Sequence, residues 1–219
     1  METLNIQKTL SQGISLGMQN ALNLILMTLL YLLTCWIPYL NVGTTIGVYK
    51  AIIGLSKGEP VKPTAIFSTE NYKSLGDFFL LFGLMSLGMG AAAAFMFIPA
   101  IVLGIAWSFA MYFFLDKKVS PLKALRMSYD TTCGEKWAIF FVVFILVFSI
   151  CLVFAILGAL ATVNETTALI FGLLIFVASV ITVPICFGVE AELYKYFSAK
   201  ADAASEAAKA PEVPEAPEA

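Results

Sequence analysis

Apolar positions along the chain come in long continuous runs, unlike the single stripe of a soluble helix or the alternation of a half-buried strand. The longest, from Phe78 to Leu115, contains no charged residue. About 20 apolar residues in a helix cross a hydrocarbon core ~30 Å thick, so this run holds two spans. Pro99 marks the break between them, because proline lacks an amide donor and belongs at a bend or in a first helical turn. The same reading of the whole chain predicts six spans, at about 19–37, 38–56, 77–97, 98–115, 138–161 and 168–190. The last two are separated by the polar turn Asn164-Glu165-Thr166-Thr167. Backbone groups find no water partner in lipid, and apolarity without strict alternation selects helices over barrel strands. The expected fold class is all-α, a polytopic transmembrane helical bundle.

Polar segments flank this domain. Residues 1–18 mix Leu4, Ile6, Leu10 and Ile14 with Asn5, Gln7, Lys8, Ser11 and Gln12, the pattern of an amphipathic helix lying on the membrane interface. Within the loop 116–137, Ser120 is an expected N-cap with Pro121 at the first helical position. Leu122, Leu125 and Tyr129 then form an expected apolar face, with Lys123, Arg126 and Asp130 on the others. Residues 19–197 make up the transmembrane domain. Residues 198–219 turn to Ala, Glu, Lys and Pro, too little apolar surface to offset ordering entropy, and are expected to be a disordered cytoplasmic tail.

Composition sharpens the class. The chain is 60% hydrophobic and 13% charged, whereas soluble domains carry about 25% charged residues. That excludes an ordinary soluble enzyme, a nucleic-acid binder and a disulfide-stapled secreted domain. Charge placement sets the orientation. With six spans and both termini cytoplasmic, all 13 basic residues fall inside and Glu165 is the sole charge outside, as the positive-inside rule requires. The competing reading is one kinked helix from about residue 20 to 50, giving five spans and an outside N-terminus.

Candidate chemistry is sparse. Histidine is absent, and Cys35, Cys133, Cys151 and Cys186 are isolated, without metal-ligand spacing. No phosphate-binding loop, nucleophile elbow or zinc-protease motif occurs. No catalytic, cofactor or metal residue is therefore expected. Glu190, shortly after Pro184, is the deepest carboxylate. Pro184 is expected to kink the last span, and Glu190 to be an interfacial carboxylate near Lys195. Small residues recur at four-residue spacing, as Gly13 and Gly17, as Gly43, Gly47 and Ala51, and as Ala100, Gly104 and Ser108. Such stripes let membrane helices approach closely, and packing within the chain is favoured over a dimer interface.

The stretch from Ile98 to Phe140 is distinctive: Ile98-Pro99-Ala100-Ile101, then Tyr112, Asp116, Ser120, Ala124-Leu125, Ser128, Gly134, Lys136 and Trp137. Thr182-Val183-Pro184 and Glu190-Ala191-Glu192-Leu193-Tyr194 follow near the end. These residues resemble the bacterial integral-membrane family catalogued as domain of unknown function 975, related to the membrane domain of glycerophosphoryl diester phosphodiesterases. Ala100 and Ile185 depart from its pattern, standing where that family has glycine and tyrosine. The resemblance implies a six-helix, multi-pass protein of the bacterial inner membrane without assigned catalytic residues. It singles out Pro99, Asp116, Ser128, Gly134, Lys136, Trp137, Pro184, Glu190 and Tyr194 as candidate structural or functional positions. Gly134, Lys136 and Trp137 are expected to fix the re-entry of the fifth span, with the tryptophan at headgroup level.

The expected role is a non-enzymatic membrane component that organises or assists a membrane partner complex or the lipid environment. Its expected partners are a bilayer with anionic headgroups and a membrane protein or a second copy, with no nucleic acid. A small-molecule or lipid transporter is the alternative.

Overall fold

The computed structural model describes residues 3–207. These are all-helical, with no strand among the described residues. The elements are α1 (Ile6–Gln19), α2 (Ala21–Thr34), α3 (Pro38–Ser56), two 3-10 turns (Pro63–Phe67 and Thr69–Ser74), α4 (Leu75–Phe95), α5 (Phe97–Trp107), α6 (Ala110–Lys117), α7 (Pro121–Thr132), α8 (Lys136–Ala161) and α9 (Glu165–Ala207). Four helical stretches are long and apolar enough to cross a membrane: α4 with the turn before it, α5 with α6, α8, and α9. A fifth is reached only if α1 and α2, bent by 75° at Asn20, count as one broken span.

The six expected spans differ from this count in the first third of the chain. α2 has 14 residues, about 21 Å at 1.5 Å per residue, short of a ~30 Å core. α3 has 19 residues but carries Asn41, Thr44, Thr45 and Lys50, and polar turns cover it. The Lys50 ammonium donates to Asn71 Oδ1 at 2.9 Å, and the buried Asn71 side chain donates to the Ile66 carbonyl at 3.0 Å. A Cβ on Gly47 would lie 2.5 Å from Ile66 Cα, and one on Gly43 would enter the Tyr72 ring. The loop thus folds back along α3, which the glycine stripe makes possible.

The two apolar hairpins follow their sequence patterns closely. Between α4 and α5 the chain breaks at Met96 in extended conformation, and Pro99 takes the first turn of α5. The turn into α9 is a reciprocal cap. The Thr167 amide donates to Asn164 Oδ1 and the Asn164 amide to Thr167 Oγ1, both at 2.9 Å. α9 then continues as one helix through Pro184 to Ala207. It runs past residue 198, where the tail was expected to begin, because Phe197 and Ala201 are buried and Lys200 and Asp202 are ion-paired. The last part of the expected tail, 208–219, lies outside the described residues.

Apart from Ala100 in α5, burial is confined to one end of these hairpins. α4 buries only Phe78 and Leu81, and α8 only Ile139 and Val142, all within the first two turns. α9 buries residues only from Pro184 onward. The core sits there, around Tyr112, Phe113, Tyr194 and Phe197 with Leu24, Met27, Ile46 and Ile52. The opposite ends carry exposed apolar side chains such as Leu87, Phe95, Leu169 and Phe176. Exposed apolar surface on this scale marks a lipid or protein contact.

α1 docks lengthwise on the C-terminal half of α9 through its glycines. A Cβ on Gly13 would lie 2.6 Å from Val189 Cα, and one on Gly188 would lie 2.2 Å from the Gly13 carbonyl oxygen. This stripe packs within the chain, as expected. The face that meets α9 is the small-residue face of Thr9, Gly13 and Gly17, while Ile14 and Met18 are exposed.

α7 divides its expected apolar face between protein and surroundings. Leu122 and Tyr129 are exposed, and the buried face is Ala124, Leu125, Ser128, Thr131 and Thr132. The reason is the break at Ser108–Phe109 between α5 and α6. Ser128 Oγ donates to the Ala106 carbonyl at 2.7 Å and accepts from the Phe109 amide at 3.2 Å, so one hydroxyl serves both freed backbone groups. Thr132 Oγ1 adds a bond to the Ser128 carbonyl at 2.8 Å. Ser128→Ala is expected to lower stability by about 1–2 kcal/mol, since it strands buried backbone groups. Thermal unfolding in detergent reads this directly, with the exposed Ser179→Ala as the neutral control.

Candidate functional site

The polar side chains of the core meet around a stack of two tyrosines. Tyr112, from the short helix α6, and Tyr194, from α9, lie ring on ring with centroids 5.1 Å apart and planes 29° from parallel. α6 presents Tyr112 inward because Ala110, Met111, Tyr112, Phe113 and Phe114 are all buried, filling the volume between α3, α7 and α9. Such stacking is worth ~1 kcal/mol beyond burial. Each tyrosine leads to a different polar group.

On the Tyr194 side, its hydroxyl donates to Asp116 Oδ2 at 2.7 Å. Lys57, at the end of α3, pairs with Asp116 Oδ1. Lys117 lies 3.9 Å from Asp116 and 2.7 Å from Asp202. Asp116 is nearly enclosed, and Lys57 and Lys117 offset part of the cost of burying its charge. This alternating chain of charges ties α3, α6 and α9 together. Asp116 and Tyr194, singled out by the sequence, are therefore direct partners.

On the Tyr112 side lies a cavity of about 250 Å³ between α2, α3, α6 and α9, lined by Thr28, Tyr31, Thr45, Tyr49, Tyr112 and Glu190 together with Val48, Ile52 and Phe187. Tyr49 meets Tyr112 edge to face, centroids 5.0 Å apart. Tyr31, Thr45 and Asn41 bond one another at 3.2–3.4 Å. The buried Tyr112 hydroxyl faces Glu190 without a well-aligned hydrogen bond. The sequence reading set Glu190 near Lys195; in the structure Lys195 pairs with Glu192 instead, at 3.2 Å. Among the described residues no Lys or Arg forms a salt bridge with Glu190. Pro184 stands apart from this cavity, against α1, where a Cβ on Gly17 would lie 1.9 Å from its carbonyl oxygen.

A third corner holds Gly134, Lys136 and Trp137. Gly134 ends α7 with φ +86°, a left-handed turn that glycine adopts freely. The Lys136 ammonium lies 4.7 Å over the Tyr129 ring, and Trp137 is 74% exposed. The residue that fixes this corner is their neighbour Glu135. It accepts from the Leu4 amide at 3.2 Å, the Tyr196 hydroxyl at 2.9 Å and the Lys200 ammonium at 2.8 Å. Pro99 sits far from all three groups, at the exposed turn of the first hairpin.

Sequence reasoning passed over Tyr112, Tyr49, Lys57 and Glu135 as site residues. For Tyr112 a signal existed: it is the single tyrosine in the run from Phe78 to Leu115. For the others the partner lies too far along the chain to be inferred from spacing. Among the described residues no group of three or more His, Cys, Asp or Glu could hold a metal ion.

No family model, curated protein or solved structure matches the chain.

Proposed function

We propose that the protein is a non-enzymatic multi-pass component of a bacterial inner membrane, with four spans and a platform on the cytoplasmic side that organises the surrounding lipid or assists a membrane partner. The spans are α4, α5 with α6, α8 and α9. The platform comprises α1, α2, α3, α7 and the C-terminal part of α9, and both termini are cytoplasmic. The resemblance to domain of unknown function 975 agrees in class, with two fewer crossings than it implies.

The observation that carries this reading is the level at which α3 sits. Lys50, in its C-terminal half, shares a cleft with Asp77 at the start of α4 and Lys118 after α6. Lys57 reaches Asp116, and the Leu4 amide reaches Glu135 before α8. A helix whose C-terminal half lies among the charged ends of the hairpins, and whose middle at Gly47 packs against Ile66 and Asn71 of the loop, fits a platform better than a span. Four spans also keep every basic residue on one side, since the far turns are Met96 and residues 162–164. The platform presents Lys123 and Arg126 on the exposed face of α7 with Leu122 and Tyr129 beside them, a surface suited to anionic headgroups at about 1 kcal/mol per basic residue. Its buried polar groups are mostly paired with each other, which suits support over turnover.

The test is the lipid composition of particles of the full chain extracted from its own membrane into nanodiscs, compared with the bulk membrane. Anionic lipid enriched about threefold or more is expected, with the enrichment halved or worse in Lys123→Gln/Arg126→Gln, as a loss of ~1 kcal/mol per site implies. Unchanged composition in both proteins would overturn the lipid-organising role. Saturable solute flux in proteoliposomes would favour a transporter, the reading to which the Glu190 cavity lends itself.

A further inference from the structure

We infer that the cavity between Tyr112 and Glu190 is a binding site for a small organic ammonium group. Three features of the cavity converge on that chemistry. First, Glu190 brings a part-buried carboxylate to the wall of a half-open cavity, with no salt-bridge partner among the described residues. A buried charge is costly unless paired, and a cation in the cavity supplies the pair. Second, the rings of Tyr31, Tyr49 and Tyr112 line the same space, and the Tyr49 and Tyr112 rings meet edge to face. Aromatic walls around a carboxylate attract ammonium groups through their ring quadrupoles. Third, the Tyr112 hydroxyl, on a residue only 1% exposed, faces Glu190 without a well-aligned hydrogen bond, so a cation held by the carboxylate also meets the hydroxyl oxygen, which can accept from it.

Size and donor set narrow the class. Sites for drug-sized molecules run from about 300 Å³ upward, so about 250 Å³ fits a headgroup or a short amine and little more. A hard divalent ion favours several carboxylates among its oxygens, and this cavity offers one carboxylate with only neutral threonine and tyrosine hydroxyls beside it. Thr28 Oγ1 already donates to the Leu24 carbonyl at 2.9 Å, leaving its lone pairs to accept from an N–H donor. The ammonium has two sources of the same chemistry: the ethanolamine headgroup of a lipid, or a free aliphatic amine. The inference goes beyond the proposed membrane role and does not depend on the basic face of α7.

The experiment uses the full chain in nanodiscs of phosphatidylglycerol, a lipid without an amine. Thermal unfolding is followed while ethanolamine is added, with sodium chloride matched for ionic strength, and in parallel nanodiscs that contain phosphatidylethanolamine. A midpoint raised by ethanolamine but not by sodium assigns the site to a free amine. A midpoint raised only by phosphatidylethanolamine assigns it to a lipid headgroup. In either case Glu190→Gln is expected to weaken the apparent affinity at least tenfold. Tyr112→Phe, which removes only the hydroxyl, should weaken it severalfold and answers for Glu190→Gln should that variant not fold. No response to either ammonium source in the wild-type chain, or a response unchanged by Tyr112→Phe together with Glu190→Gln, would overturn the inference. Loss of this response with lipid enrichment intact would separate its failure from failure of the proposed role.

Discussion

Gly17→Ala is expected to detach α1 from α9. The added methyl would lie 1.9 Å from the Pro184 carbonyl oxygen and 2.8 Å from its carbon, both backbone atoms in the middle of a helix. Flexible side chains can yield to a new methyl, whereas helix backbone cannot, so the two helices must separate by about 1 Å or more, and contacts along the seam weaken steeply with such a gap. The seam is close on both sides, since Gly188 stands with its Cα against Gly17 and its missing Cβ against the Gly13 carbonyl. Overpacking in a rigid core costs about 1–3 kcal/mol and sometimes more, and we expect about 3 kcal/mol here. Gly172→Ala supplies the contrast: nothing lies within 4 Å of its new methyl, and replacing a helical glycine by alanine should gain up to ~1 kcal/mol. Thermal unfolding of both variants in detergent, with proteolysis of α1 as a second readout, checks the pair. Equal midpoints would show that α1 does not need this seam.

Glu135→Ala is expected to cost about 2–3 kcal/mol. The carboxylate accepts from three donors on two other segments, and its side chain is only 14% exposed, against 23% for Lys200. That places the pair between exposed bridges, worth at most ~1 kcal/mol, and fully buried ones, whose breakage costs about 3–5 kcal/mol. Without Glu135 the Leu4 amide loses its acceptor, and the start of α1 is released from the start of α8 and from α9. Hydrogen exchange should quicken first in the opening turn of α1, which is the mark of a local tether. Glu135→Gln retains an acceptor and should lose about half as much. Protection of α1 unchanged in Glu135→Ala would remove the tethering role.

Helical hairpins were legible because lipid imposes a simple rule. Expected limits of 138–161 for the fifth span compare with Lys136–Ala161 in α8, and the turn at Asn164 falls where its polar residues stand. The first third was not legible, for a physical reason. Leu24, Met27, Ile46 and Ile52 are fully or nearly fully buried against protein, and burial in protein selects the same apolar residues as burial in lipid. Apolarity alone could not separate the two. The glycine stripes announced close backbone approach, but the partner of Gly13 and Gly17 lies some 170 residues away, on α9. The inward face of α7 was not legible for a related reason. Helical spacing located an apolar face at Leu122, Leu125 and Tyr129, whereas the break at Ser108–Phe109 needed hydroxyls, so Ser128 and Thr132 turned inward. At the site, Asp116, Glu190 and Tyr194 were visible as polar residues at the edges of apolar runs. Their partners Lys57, Tyr49 and Tyr112 come from other helices, and tertiary packing alone brings them together.

The side of the membrane reached by Trp36 separates the two topologies. This residue sits between α2 and α3 and is 88% exposed. With six spans it stands outside; with four spans and an inner platform it stands on the cytoplasmic side. The decisive measurement is labelling of Trp36→Cys by a membrane-impermeant maleimide, with Cys35, Cys133, Cys151 and Cys186 replaced by alanine, in right-side-out and inverted vesicles. Asn164→Cys serves as the outer reference and Ser120→Cys as the inner one. Labelling of Trp36→Cys in inverted vesicles, in step with Ser120→Cys, is the predicted result, and labelling from outside, in step with Asn164→Cys, would contradict the four-span account.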